Sequence, residues 1–332
     1  MAPKRATMND VAKLAGVTQA TVSYVINNSA NISDEVKERV YEAIKQLNYS
    51  PNFNARALKT RTSSIVGIIL PDIVNQYYSR MVEYLEILLS KKNLHTMVYT
   101  TSYNPEFEQE IIQRLLSVDV CGIIVLYQFS NPENWNILKH SGKTIIALEG
   151  GAHCSEIGIM NVRTNSFAGE YMATKFLLDE GAKRIAFIHQ TAVNESLQDR
   201  LMGYTQAMKD AELFQPMDIH YINNNADFYQ ELKKVGEVLC KTPVDGIVST
   251  SDLIAIGIIR QLSLHGIRVP DDVRIVGYDN VPFASFFIPA LTTIAQPMEE
   301  ICNRIIELLF SDDEQISQNN NAFEPKLIIR ET

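Results

Sequence analysis

From residue 64 onward the chain alternates short apolar runs with amphipathic stretches of helix length, and this alternation narrows the possible folds more than any other feature. The runs are SIVGIIL (64–70), HTMVYTT (95–101), CGIIVLY (121–127), TIIALE (144–149), RIAFIH (184–189), DIHYIN (218–223), GIVSTS (246–251) and VRIVGYD (273–279). Short aliphatic and β-branched runs of this kind read as strands buried on both faces. Helices between them require parallel sheets covered on both sides. The cycle runs twice, with a break near Arg163. The expected core is therefore α/β, with two doubly wound parallel-sheet subdomains. Ligands of such sheets sit beyond the C-terminal ends of the strands, so two facing lobes imply a cleft suited to a small molecule.

The first 50 residues follow a different rule. Thr7 is placed to cap a helix over MNDVAKLA, with Asp10 in its first turn and Val11, Leu14 and Ala15 on one face. Gly16 supplies the left-handed turn that ends it. Thr18 caps a second helix whose Val22, Val25 and Ile26 face inward, and small Ala12 lets the helices approach. Ser33 starts a third helix with Val36, Val40, Ile44 and Leu47 as its stripe, and Pro51 stops it. Helix, glycine turn and helix form a helix-turn-helix, whose second helix enters the major groove and reads base edges. Gln19, Ala20, Thr21 and Ser23 are short and uncharged. They let that helix lie deep in the groove and offer hydrogen bonds and small apolar contacts.

Charge divides the chain in the same place. Residues 1–62 hold nine Lys or Arg against five Asp or Glu, a net +4, which leaves −13 for the rest of a chain of net charge −9. A basic head on an acidic body suits a head that alone approaches a polyanion. At 332 residues, about 150 per domain gives roughly two domains and a small extra module. No apolar run approaches the roughly 18 residues of a membrane span. No apolar stretch follows Lys4 and Arg5, so no signal peptide is read there. Cys121, Cys154, Cys240 and Cys302 are scattered, without metal spacing, and read as reduced thiols of a cytoplasmic protein.

The segments MNDVAKLAGVTQATVSYVINN and LNYSPNFNARAL resemble the DNA-binding head and hinge of the lac-repressor (LacI/GalR) family of transcription regulators. GAKRIAFI, RLMGY, VDGIVSTSD, GIRVPDDVRIVGYDNVP and PALTTIAQP resemble that family's core segments, in the family's order. The resemblance covers essentially the whole chain. It implies a helix-turn-helix domain over 1–50, a hinge helix and linker over 51–62, and an effector-binding, dimerising core over 63–332. The core would be periplasmic-binding-protein-like, crossed three times by the chain. One subdomain would take about 63–162 and 292–323, the other about 163–291 and 324–332. Two heads would bind a near-palindromic operator. Thr7, Thr18, Gln19, Ala20, Thr21, Ser23, Tyr24, Asn27, Ser33 and Tyr49 would contact DNA, with Asn52, Ala55 and Arg56 from the hinge. Leu58 matches the leucine that wedges into the minor groove, where unstacking costs a few kcal/mol that added contacts offset.

The sequence departs from the family pattern at Tyr24, where many relatives carry arginine. A tyrosine cannot donate two hydrogen bonds to one guanine, so the half-site is expected to differ at that base pair. Thr164–Asn165 stands for a usual Asp–Asn pair, and Ser251–Asp252 for an Asn–Asp pair. Both lie near the cleft or its hinge, so no relative's ligand can be transferred. By the resemblance, effector positions fall at Tyr77, Tyr78, Glu149, Ser196, Arg200, Phe228, Ser251 and Asp279. Carboxylates, a guanidinium fork and flat aromatic faces suit a polyhydroxylated ring.

The expected function is an operator-binding repressor controlled by a sugar or sugar derivative. Two alternatives are a purine corepressor and a phosphorylated carrier-protein corepressor, as in the family's catabolite-control branch. The short tail favours a homodimer. An enzyme is not expected, because no phosphate loop, serine elbow or zinc-spaced histidine pair is present. No cofactor or metal is expected either. The six histidines read as structural or surface residues, with His189, at a strand end near the cleft, the one placed to meet a ligand.

Overall fold

A computed structural model describes residues 6–27, 31–49, 63–191, 194–223, 227–311 and 321–332. The chain forms two compact units, residues 1–62 and 63–332. Among the described residues, no helix is long and apolar enough to cross a membrane.

In the first unit, helices α1 (Met8–Ala15), α2 (Gln19–Asn27) and α3 (Asp34–Gln46) pack around Val11, Ala12, Ala15, Val22, Val25, Val40 and Ala43. Thr7 caps α1 through a reciprocal capping box with Asp10. Gly16 ends α1 at φ 65°. Its N–H donates to the Lys13 carbonyl, and that of Val17 to the Ala12 carbonyl, the Schellman arrangement that only a left-handed residue allows. Thr18 Oγ1 accepts from Thr21 N at 3.1 Å at the start of α2. Two expectations fail here. Leu14, placed on the apolar face, is 49% exposed, because Val11, Ala12 and Ala15 alone fill the space α3 leaves. Ser33 precedes α3, but its side chain makes no capping bond.

The second unit holds two six-stranded sheets. The first comprises β1 (Ile65–Leu70), β2 (His95–Thr100), β3 (Gly122–Val125), β4 (Thr144–Leu148), β5 (Met160–Thr164) and β11 (Ala322–Phe323). Their order is β11-β5-β4-β3-β1-β2, parallel throughout. The second comprises β6 (Ile185–Gln190), β7 (Ile219–Ile222), β8 (Gly246–Ser249), β9 (Arg274–Tyr278), β10 (Thr292–Ala295) and β12 (Lys326–Ile328). The order is β12-β10-β9-β8-β6-β7, with β12 antiparallel to β10. Both sheets share one plan, in which the first strand lies between the second and third. The topological switch points therefore fall at β1/β3 and at β6/β8. Val66 faces Gly122 in the first lobe, and Ile185 faces Gly246 in the second.

The chain crosses between lobes after β5, after β10 and after β11. The middle crossing corrects the expected boundary. Residue 292 was to open the returning segment of the first subdomain, but Thr292–Ala295 is β10 of the second sheet, so the crossing comes at Gln296–Pro297. Helix Met298–Leu309 then packs on the first lobe, where Ile301, Ile305 and Leu308 join Met81, Leu85 and Leu89. The strand was hidden because its residues read as polar. Thr292 and Thr293 are fully buried, and their hydroxyls donate to the Thr332 carbonyl at 2.8 Å and to Asp252 Oδ1. Buried hydroxyls satisfied in this way cost little.

Candidate DNA-reading head and effector cleft

In the head, α2 carries no charged residue at either end. Burial of Val22 and Val25 leaves Gln19, Ala20 and Tyr24 exposed on its other side, with Thr21 and Ser23 half-exposed beside them. Tyr24 is 48% exposed and is not among the buried residues of the head core. Thr7 and Thr18 spend their hydroxyls on caps, Ser33 is exposed, and Tyr49 packs against the core with its N–H bonded to the Ile44 carbonyl. Asn27 ends α2. Asn52, Ala55, Arg56 and Leu58 lie outside the described residues.

The cleft is assembled from strand ends. Beyond β1, the side chain of Asn75 caps helix Gln76–Ser90 and fixes Tyr77 and Tyr78 in its first turn, their rings edge-on at 5.4 Å. Tyr127 and Gln128 follow β3, and Tyr103 approaches the Tyr127 ring at 6.3 Å. Glu149 ends β4 at φ 54° and accepts from Thr164 N at 2.7 Å. From the second lobe come Gln190 at the end of β6, Asn194 and Ser196 at the start of helix Glu195–Asp210, Arg200 one turn along it, Thr250 and Ser251 after β8, and Asp279 after β9. Gln296, at the middle crossing, ties the lobes together. Its Oε1 accepts from the Tyr77 hydroxyl at 3.1 Å and the Thr164 hydroxyl at 2.8 Å, and its Nε2 donates to Asp279 at 2.9 Å.

Seven of the eight anticipated effector positions thus line one cavity: Tyr77, Tyr78, Glu149, Ser196, Arg200, Ser251 and Asp279. Phe228 does not. It starts helix Phe228–Lys241 and packs against the apolar core. His189 also stays outside, buried against Phe187 and Tyr221 on the face of β6 opposite Gln190, and burial lowers its pKa. Asn75, Tyr103, Tyr127, Gln128, Gln190, Asn194 and Gln296 were missed. Several of them directly follow strands, so the strand-end rule itself was the signal available for them.

Arg200 is the one guanidinium lining this cavity among the described residues. It lies 3.6 Å over the Tyr278 ring and donates to the Thr250 carbonyl. Burial pushes Glu149 up to about 7 and Asp279 up to about 6, with the Arg200 charge opposing each shift. Ser251 caps helix Asp252–Leu264, while Asp252, fully buried, accepts from Val281 N at 2.8 Å and from Thr293. Asn165 caps helix Ser166–Asp179 and bonds Glu324, which joins two of the three crossings. The departures at 164–165 and 251–252 are therefore hinge and framework residues, except that Ser251 also reaches the cavity.

The cavity measures about 60 Å³. Small-molecule sites run to roughly 300 Å³ or more, so the cavity is tight for a ligand in this arrangement of the lobes. Backbone-to-side-chain bonds hold them together: Ala152 N to Glu195 Oε1 at 2.6 Å, Glu195 N to Gln128 Oε1 at 2.9 Å, and Phe283 N to Gln76 Oε1 at 3.4 Å. Among the described residues, no cluster of His, Cys, Asp or Glu could hold a metal ion.

A helix-turn-helix head joined to a two-lobed effector core defines a ligand-responsive transcription regulator. Residues 7–52 match the model of bacterial regulatory proteins of the lacI family, and residues 174–332 that of the periplasmic binding protein-like domain. The chain is 31% identical to the HTH-type transcriptional repressor PurR of Histophilus somni over 98% of both chains. It is 32% identical to catabolite control protein A of Staphylococcus xylosus over 95% of both. Among solved structures, a complex of the transcriptional regulator CelR with cellobiose aligns over 98% of this chain and 99% of that one, with 27% identity and a TM-score of 0.68. The chain belongs to the LacI family: it is a DNA-binding repressor with an effector domain, and members of this family are not enzymes.

Proposed function

We propose that the protein represses transcription from a near-palindromic operator and that a neutral, polyhydroxylated carbohydrate in the cleft controls its grip. The lining of the cavity carries this reading. Four tyrosines offer flat faces and hydroxyls, Gln128, Gln190 and Asn194 offer amides, and Glu149 and Asp279 accept from hydroxyls. Arg200 is already held by Tyr278 and the Thr250 carbonyl and shares the cavity with Glu149 and Asp279, so a phosphate would meet acids beside the one cation. A purine would leave many of these acceptors unpaired, at about 1–3 kcal/mol for each buried one. The CelR relative, whose complex holds cellobiose, supports the same class.

The exposed side of α2, from Gln19 to Tyr24, would read the half-site, and Leu58 would enter the minor groove. The apolar patch of Ile73, Val74, Phe283, Phe286 and Ile288 supports a homodimer, because a surface this apolar is buried most simply against a second copy. Operator binding places the protein in the cytoplasm. Effector binding shifts a population of lobe arrangements, with release from the operator as the first expectation. A coupling of about 1–3 kcal/mol changes operator affinity about 5- to 150-fold.

A thermal-shift panel of neutral mono- and disaccharides, sugar phosphates and purines on the full chain tests the cleft. At least one neutral sugar should raise Tm, and should then release operator DNA in a gel shift. Stabilisation by sugar phosphates or purines alone would overturn the class, and no response at all would favour the carrier-protein corepressor. Selection from random DNA tests the head; return of the common family half-site would overturn the role given to Tyr24.

A further inference from the structure

Helices Ser166–Asp179 and Glu195–Asp210 meet behind the cavity wall, and one buried acid there is used by nothing described so far. Glu170 is 1% exposed, and neither carboxylate oxygen has a hydrogen-bond partner. Buried groups of this kind are nearly always paired, so an orphan acid asks for an explanation. Its surroundings supply one. Gly203 lies one turn beyond Arg200, and a Cβ there would stand 2.3 Å from the Phe167 carbonyl and 3.2 Å from Glu170 Cβ. No other residue lets the two helices touch so closely. A Cβ on Gly169 would stand 2.7 Å from the Tyr278 hydroxyl, the ring over which Arg200 is stacked. Two glycines therefore bring Glu170 into the same packed cluster as Arg200, whose Nε is also without a partner.

We propose that Glu170 is a positioning residue of the effector site, the resident counter-carboxylate that draws the Arg200 guanidinium back against the second lobe when it is ionised and frees it for the cleft when it is neutral. This deepens the effector reading and rests on Arg200 serving that cavity. The charged and titratable groups gathered around Arg200 are Tyr278, Asp279, Glu170 and Glu149, and those acting on Glu170 are Arg200 and Asp279. Glu149 and Asp279 line the cavity, so a ligand can bond them directly. Glu170 does not line it and acts only through Arg200. Burial pushes Glu170 up to about 8, with the Arg200 charge pulling the other way. Near neutrality the acid thus keeps its proton, and above that range it takes Arg200 as its ion partner.

The sign follows from linkage. The folded-state pKa lies above the unfolded value of about 4.3, so wild-type stability is lost as pH rises towards about 8. Glu170→Gln removes that loss. Without Arg200 the acid would hold its proton to still higher pH, so the loss would continue further. The test is a double-mutant cycle on the full chain, using E170Q, R200M and the double variant, with Tm measured at pH 5.5 and pH 9. At pH 5.5 the gain from E170Q should match in both backgrounds within about 1 °C. At pH 9 it should be greater in the R200M background by about 3 °C or more. Equal gains at both pH values would make Glu170 a merely buried acid and overturn the proposal. If R200M does not fold, R200K replaces it; a retained cation should then leave the E170Q gain as in the wild type, and a change would overturn the proposal. The cycle needs no ligand, so its failure would leave the effector reading standing, and an empty sugar panel would leave the cycle intact.

Discussion

The two lobes share a strand order and a switch point but bring different chemistry to the cleft. The first lobe supplies hydroxyls and faces: Tyr77, Tyr78, Tyr103 and Tyr127, with Glu149 as its acid. The second supplies the cation, Arg200, with Asp279 as its acid, while each lobe gives two amides, Asn75 and Gln128 from the first and Gln190 and Asn194 from the second. The two also differ in how these groups are held. Arg200 is stacked on Tyr278 and donates to the Thr250 carbonyl, and Asp279 N–H donates to the Ile294 carbonyl while its side chain accepts from Gln296. In the first lobe, Tyr77 and Tyr78 rest on the Asn75 helix cap and the Tyr77 hydroxyl bonds Gln296, while the Tyr127 hydroxyl meets Thr101 and Glu108. One strand plan can therefore yield two walls of different chemistry, depending on which strand ends carry buried charge.

That contrast can be broken or sharpened by measurement. The largest effect is expected at Asp252→Ala, which orphans Val281 N–H and the Thr293 hydroxyl inside the second lobe. About 3 kcal/mol of stability should be lost, read by urea unfolding. Arg200→Ala should weaken the sugar returned by the thermal-shift panel about 100-fold by calorimetry, because a charged donor is removed from a buried site. Tyr77→Phe, in the first lobe, deletes the bond to Gln296 together with the oxygen left to accept from a ligand hydroxyl, and should cost about tenfold in the same assay. Equal losses for the last two would erase the distinction between the walls. The smallest effect is in pH dependence. Glu149 sits at about 7 and Asp279 at about 6, both above their unfolded values, so each carries stability that is lost as pH rises through those values. Glu149→Gln should flatten Tm against pH between about 4.3 and 7, and Asp279→Asn over the narrower window from about 3.9 to 6.

The eight apolar runs all became strands; six are buried in their sheets, as expected of aliphatic segments, while β2 and β7 lie at sheet edges and stay partly exposed. The strands that escaped notice were those without such runs. Met160–Thr164 and Ala322–Phe323 are short and only partly buried, and Thr292–Ala295 buries hydroxyls in place of methyls. In the cleft, residues carried by motifs were legible. Tyr103 and Gln296 were not, since no local pattern marks a turn tyrosine at φ 55° or an amide at a lobe crossing. Phe228 misled because an aromatic at a helix start serves the core as readily as a ligand. Glu170 was invisible because nothing in its helix says which side chains another helix will bury.

The amide of Gln296 has a polarity that reaches beyond the crossing where it sits. Its oxygen is occupied by the Tyr77 and Thr164 hydroxyls and its nitrogen by the Asp279 carboxylate, so turning the amide end over end would set its oxygen against that carboxylate, acceptor against acceptor. The proton of the Tyr77 phenol is thereby spoken for, and only that oxygen's lone pairs are left for a visitor. Whatever enters must arrive at Tyr77 as a giver of hydrogen, which discriminates hydroxyls and amines from ethers and carbonyls before any contact of shape is made.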